Sequence, residues 1–177
     1  LFFQNNANFI FIGTAENRGG RIIMRQSMIN EKYLNDSGLK QADIVKLTDA
    51  NQEYLAKAFN GANVLQNVSP GYNSPILVSS MPLGEPSPYI IIVFMDMSKF
   101  LEIFKSSDIY QTFMVNDRSD VIAHGDQKLV MSRTNLTQVP VVAAMWKGGS
   151  PNGHIPYEFE GQSYFGGYQK LDFAGVG

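Results

Sequence analysis

Between residues 89 and 126 the spacing of apolar positions changes period twice, and the rest of the chain is arranged around that stretch. Residues 89–95 are apolar throughout and β-branched in the middle, the pattern of a strand covered on both faces. Asp96 ends the run. From Ser98, Phe100, Leu101 and Phe104 fall at helical spacing with Lys99, Glu102 and Lys105 opposite, and Ser98 stands where a cap would. Residues 110–115 are apolar again, 116–120 carry turn chemistry, and 121–123 return as a strand. A strand closes one unit, a short helix bridges, and a hairpin opens the next.

On the N-terminal side, residues 8–15 predict a strand, 17–20 a turn and 21–29 a second strand. Strict alternation puts Ile22, Met24, Gln26 and Met28 on one face of that strand, and Arg21, Ile23, Arg25 and Ser27 on the other. Two arginines beside an isoleucine suit a sheet edge in water or an anion-binding wall. Residues 35–38 break the chain. Residues 41–60 then predict one long helix with Ile44, Leu47, Tyr54, Leu55, Ala58 and Phe59 as its stripe and Gly61 as its stop. Strands follow at 64–68 and 75–81, separated by the loop 69–74, and prolines and glycines at 82–88 make a turn. These elements describe an antiparallel sheet with a helix over it. After Asp126 the pattern recurs in shortened form. A helix starts near Pro140 with Val142, Ala143, Met145 and Trp146 as apolar positions, a loop spans 148–153, and strands at 154–159 and 163–171 flank the Glu160–Gly161 turn before a last turn at 172–175.

Composition narrows the function. At 177 residues, 44% of them apolar, the chain holds one large domain or two small ones. A net charge of −2 with scattered lysines and arginines gives no field for nucleic acid. No apolar run approaches the roughly 20 residues that cross a bilayer. The absence of cysteine removes disulfides and thiolate chemistry, and fits a reducing cytosol or a bacterial periplasmic domain equally. A start at Leu1 without Met, running directly into Phe2 and Phe3, reads as a piece of a longer protein.

Enzymatic and metal constellations fail on spacing. His124 and His154 are the only histidines, so a zinc site is not expected. Asp117, Asp120 and Asp126 crowd one turn, yet an EF-hand starting at Asp117 would need Gly and Glu where Ile122 and Lys128 stand. The Gly161–Gln162–Ser163 stretch lacks the second glycine of a nucleophile elbow, and no phosphate loop exists. No enzyme and no cofactor is expected. Asp96 is the sharper candidate. A carboxylate directly after an apolar strand is partly buried and needs a cation or donors, which Arg25 or a ligand's ammonium would supply; the plain alternative is that Asp96 caps the helix near Ser98. Tyr72 and Asn73 in the loop, with Asn67 and Ser69 before it, would donate and stack at a pocket mouth, or serve only as turn residues. Arg25 and Ser27 complete the candidate ligand-binding set.

Three stretches carry a resemblance. YIIIVFMDMSKFLEIF, YQTFMVNDRSDVIAHGDQKLV and YEFEGQSYFGGYQKLDFAGVG occur in the order and spacing found in double Cache (dCache) sensor domains of bacterial chemoreceptors, histidine kinases and nucleotide cyclases. The chain resembles that family from Val64 onward and more diffusely before it. The resemblance implies an α+β fold of two PAS-like modules in series, each an antiparallel sheet with flanking helices. The implied division is a membrane-distal module at 1–97, a linking helix at 98–107 and a membrane-proximal module at 108–177. It implies a small molecule bound in the distal module, with Asp96 in the position of the aspartate that often holds it. It also implies a periplasmic location, membrane attachment through flanking helices, a homodimer formed through the parent receptor, and transmission along the linking helix to a cytoplasmic output domain. There are departures: the family's long N-terminal helix is missing, Asp120 stands where glycine is usual, and the only tryptophan, Trp146, lies outside the distal module. The signature of the amino-acid-binding members is therefore missing, and an amino-acid ligand is not implied. The alternative function is a ligand-free dimerisation spacer, with a hydrolytic enzyme behind it.

Overall fold

The computed structural model describes residues 2–84, 88–105, 110–173 and 176–177. A helical turn, α1 (Phe2–Asn5), leads into a hairpin of β1 (Phe9–Arg18) and β2 (Arg21–Ile29). Gly19 and Gly20 turn it at φ +59° and +84°, the two left-handed positions that a two-residue hairpin loop requires. Next come α2 (Glu31–Ser37), α3 (Gln41–Ala50), α4 (Gln52–Leu55) and a 3₁₀ turn (Ala56–Asn60). They cross to β3 (Val64–Asn67), β4 (Ile76–Pro82) and β5 (Tyr89–Asp96). The strands form one antiparallel sheet in the order β2-β1-β5-β4-β3. The uncharged stretch at 89–95 is thus the central strand, paired along both edges.

The helices cover one face of that sheet. Phe11, Ala15, Ile90, Ile92 and Phe94 pack there against Leu34, Ile44, Leu47, Tyr54 and Leu55. Leu65 and Leu77, on the opposite face, join Val121, Ile122, Ala123 and Val130 of the second module in a shared core. Leu101 and Phe104 enter the same core from the link, α5 (Ser98–Leu101) and a 3₁₀ turn (Glu102–Phe104). The second module contains β6 (Phe113–Val115), β7 (Val121–His124), α6 (Gln127–Met131), α7 (Pro140–Lys147), β8 (Asn152–Phe159) and β9 (Gln162–Gln169). Its strands pair as two antiparallel hairpins. Val176 and Gly177 return between them: Val115 and Gly177 exchange N–H···O bonds of 2.8 and 3.0 Å, and Leu171 bridges Val176. The expected α+β arrangement of two PAS-like modules in series is the one observed.

Local departures have physical causes. The helix read at 41–60 is broken at Asn51, whose side-chain amide takes the Leu47 carbonyl at 2.8 Å while its backbone N–H turns to Thr48. Residues 31–37 are helical, where the only feature expected was a break at 35–38. Asn30 caps this helix through the Tyr33 N–H at 3.1 Å, and Gly38 ends it at φ +74°. Asp126 likewise caps the unanticipated α6 through the Lys128 N–H at 2.8 Å. Ser98 is not the cap of the linking helix but its first residue; Met97 holds the cap position without a side-chain cap bond, and Asp96 Oδ1 takes the Ser98 N–H at 2.7 Å. The expected end of that helix at 106–107 lies outside the described residues, as do 85–87 and 174–175 of two expected turns.

The alternation read in β2 also needs correcting. A bulge shifts the register between Thr14 and Ala15, so Ala15 faces Met24 while Thr14 faces Gln26. Arg25 is the extra residue, and every side chain after it changes face. Ser27 and Ile29 therefore share the helix-covered face with Ile22 and Met24, and Met28 turns outward at 50% exposure.

Candidate ligand-binding site

Asp96 ends the central strand on the helix-covered side, in line with Ile92 and Phe94. Both carboxylate oxygens are engaged: Oδ1 by the Ser98 N–H and Oδ2 by the hydroxyl of Tyr33 in a short hydrogen bond. Tyr33 reaches it because the Asn30 cap fixes the first turn of α2 beside the end of β5. Burial, then Asp96, pushes the Tyr33 hydroxyl well above the ordinary phenol range, against a bond from the Ser74 side chain. Tyr33 therefore stays protonated and donates.

Beyond Tyr33 lies a cavity of about 230 Å³ walled by Ser37, Gly38, Leu39, Asp43 and the loop residues Gly71, Tyr72, Asn73 and Ser74. Neither Asp96 nor Tyr33 is itself a wall; Asp96 stands two side chains behind, through Tyr33 and Ser74. Asp43 is satisfied by the Lys40 backbone N–H at 2.9 Å and by Lys46 at 3.6 Å. Burial and the Asp43 charge raise the Tyr72 hydroxyl above its ordinary value. The cavity wall thus offers one carboxylate, Asp43, one phenol, Tyr72, and the polar side chains of Ser37, Asn73 and Ser74.

Of the residues singled out in the sequence, Tyr72 and Asn73 line this cavity and Asp96 lies behind it. Arg25 is not brought to Asp96. It binds Glu16 Oε2 at 2.6 Å at the far end of the sheet, where Glu16 faces Tyr89. Burial pushes the Glu16 carboxyl up, but Arg25 and Arg18 together hold it below the ordinary carboxylate value. Ser27 lies opposite Gly13 on the helix-covered face and is exposed. Asn67 and Ser69, at 1% and 0% exposure, are interior rather than at a mouth. Tyr33, Ser37, Asp43 and Ser74 escaped the sequence reading. The Asn30 and Gly38 caps around a short helix were the available signal.

A larger cleft of about 1090 Å³ lies in the second module between β6 and β9, above Val141, Val142 and Met145 of α7. Among the described residues, no Asp, Glu, Lys or Arg lines it. β9 pairs with β8, and β6 pairs with β7 and, at Val115, with Gly177, which lines the same cleft. The acids near the first turn of this module are each engaged within the protein. Asp117 takes the Tyr54 hydroxyl, Asp120 takes Asn135, and Asp126 caps α6.

No family model and no curated protein matches the chain. Solved structures do. The extracellular domain of mmHK1S-Z2, described as a histidine kinase, superposes with a TM-score of 0.61 over 99% of this chain and 75% of its own, at 14% identity. Its counterpart mmHK1S-Z3 gives 0.58 over 99% and 73%, at 12% identity. The ligand-binding domain of the Pseudomonas aeruginosa PAO1 amino acid chemoreceptor PctC, solved with GABA, gives 0.51 over 97% and 72%, at 20% identity. These identities speak to the fold alone, and the fold agrees with the resemblance read from the sequence: the chain has the double Cache architecture, two PAS-like modules in series.

Proposed function

We propose that the chain is the extracytoplasmic ligand-binding sensor domain of a bacterial transmembrane receptor. Its ligand is a small molecule held in the first module by Asp96, Tyr72, Asn73, Ser74 and Asp43. The observation that carries this reading is the line Asp96–Tyr33–Ser74 ending in a polar cavity. Its volume of about 230 Å³ suits a metabolite below the ~300–1,000 Å³ of drug-sized pockets. An ammonium or similar cationic group on the ligand replaces the Tyr33 hydroxyl on Asp96. Tyr33 is then a gate, and its displacement gives the ligand the differential affinity for one arrangement that a signal requires. The similar solved structures, a chemoreceptor's ligand-binding domain and histidine kinases' extracellular domains, support the receptor context. Among the described residues no helix is long and apolar enough to cross a membrane.

One observation favours a second reading. In this structure the protein's own Tyr33 occupies Asp96 Oδ2, as it would in a spacer whose pocket is closed by its side chains. A thermal-shift screen with small carboxylates, amines, amino acids and purines separates the two. A compound at 100 times its dissociation constant stabilises by about 2.7 kcal/mol. The sensor reading expects a shift that Asp96→Ala abolishes and Tyr33→Phe keeps. No shift with any class gives the spacer reading, and equal loss in both variants reduces Asp96 to a support for Tyr33.

A further inference from the structure

Two of the sequence candidates that are not at the cavity, Asn67 and Ser69, form the join between the modules. The Asn67 side-chain amide in β3 donates to the Val121 carbonyl at 2.8 Å and the Val130 carbonyl at 2.7 Å, both in the second module. Its oxygen accepts the Ser69 N–H at 2.9 Å and the Ser69 hydroxyl at 2.5 Å. Ser69 Oγ in turn accepts the Ile76 N–H at 2.9 Å, which pins both ends of the loop that supplies Gly71, Tyr72, Asn73 and Ser74 to the cavity wall. Each hydrogen-bonding position of the Asn67 amide is filled, in a place water does not enter.

We propose that this pair is the mechanical link between ligand cavity and second module: movement of the loop pulls on Ser69, and Ser69 pulls through Asn67 on β7 and α6. The link rests on the sensor reading for its purpose. The linking helix is a weaker candidate. It is a single α-helical turn and a 3₁₀ turn whose Leu101 and Phe104 are buried in the shared core, a plug rather than a lever. The outer edge of the join is a separate clasp. Tyr54 of α4 donates to Asp117 at 3.0 Å, Lys57 meets Asp117 at 3.6 Å, and the Lys57 and Arg118 cations each stand 4.5 Å from the Tyr54 ring centre. Its residues are not among those that wall the cavity, so it holds the modules together without reporting on the loop.

The link is testable without any ligand. Hydrogen exchange over 121–131 is compared in the wild type, Tyr72→Ala, Ser69→Ala and the double variant. Tyr72→Ala disturbs the cavity loop and its packing on the first module's core; Ser69→Ala weakens the link by removing the hydroxyl's bonds to Asn67 Oδ1 and the Ile76 N–H, while the Ser69 N–H stays on Asn67 and the Asn67 amide on its two carbonyls. We expect Tyr72→Ala to change exchange over 121–131 several-fold in the wild-type background and less than about two-fold with Ser69→Ala present, the non-additivity that marks a direct coupling. An equal change in both backgrounds, or none in the wild type, overturns the link. Should Ser69→Ala fail to fold, native-state exchange of the wild type in rising urea decides. The Ile76 amide and those of 122–124 must open at one denaturant dependence, as one cooperative unit; separate openings overturn it. A failed screen for ligands leaves both of these outcomes intact.

Discussion

Asp96 has two oxygens and two donors from the protein itself, and this double duty sets what its loss does. Asp96→Ala removes the acceptor of the Ser98 N–H at the start of α5 and leaves the Tyr33 hydroxyl without its acceptor. Urea unfolding is expected to show a loss of about 1–2 kcal/mol. A second residue-scale prediction concerns pH. His124 is 4% exposed, its Nδ1 accepts the Asp126 N–H at 2.8 Å, and its ring stacks on Phe113. Burial holds its pKa below 6.5, against a smaller upward pull from Asp126. A histidine depressed in the folded state is protonated first in the unfolded one, so its contribution is complete above pH 6.5 and is lost as pH falls from there. Stability should be level from about pH 8 to 7 and decline below about 6.5, with His124→Asn flattening that decline. Asp96 was legible in the sequence because a carboxylate ends an otherwise apolar strand. Tyr33 was not, because its partner lies 63 residues away and nothing local marks the pair.

Among the elements, β2 shows where periodicity stops being informative. Alternation places Met28 with Ile22 and Met24, but the bulge at Arg25 puts Ile29 there instead. A bulge leaves no mark in an alternating pattern; the extra residue, Arg25, meets the Glu16 carboxylate across the strand, a partner the sequence does not reveal. The register gives a sharp test by urea denaturation. Ile29→Lys should cost about 2–3 kcal/mol, from a side chain withdrawn from the core and a charge turned toward it. Met28→Lys, half exposed, should stay within about 0.5 kcal/mol. The helices divide in the same way. Pro140 at the first turn of α7 was readable as a start. The break at Asn51 was not, because it depends on which carbonyl one side-chain amide selects.

At the scale of the whole molecule, the sheet of the first module has two working faces. One buries the helices and ends in the cavity; the other shares a core with the second module. The order of elements predicted this architecture because its signals are local: a central apolar strand, hairpin turns and a helix between them. The division of labour within the site was hidden. Asn67, Ser69, Tyr72 and Asn73 sit within one short stretch of sequence, yet the first two face the second module and the last two face the cavity. Only the pairing of the edge strand β3 with β4, and its packing on the second module, separates them.

A sensor of this kind stands or falls on whether its first module holds a small molecule through Asp96. Native mass spectrometry of the purified protein, with small carboxylates, amines, amino acids and purines added in turn, tests this most directly. It should show a one-to-one adduct with at least one compound on the wild type and none on Asp96→Ala. No adduct from any class, or an adduct undiminished by Asp96→Ala, would contradict it.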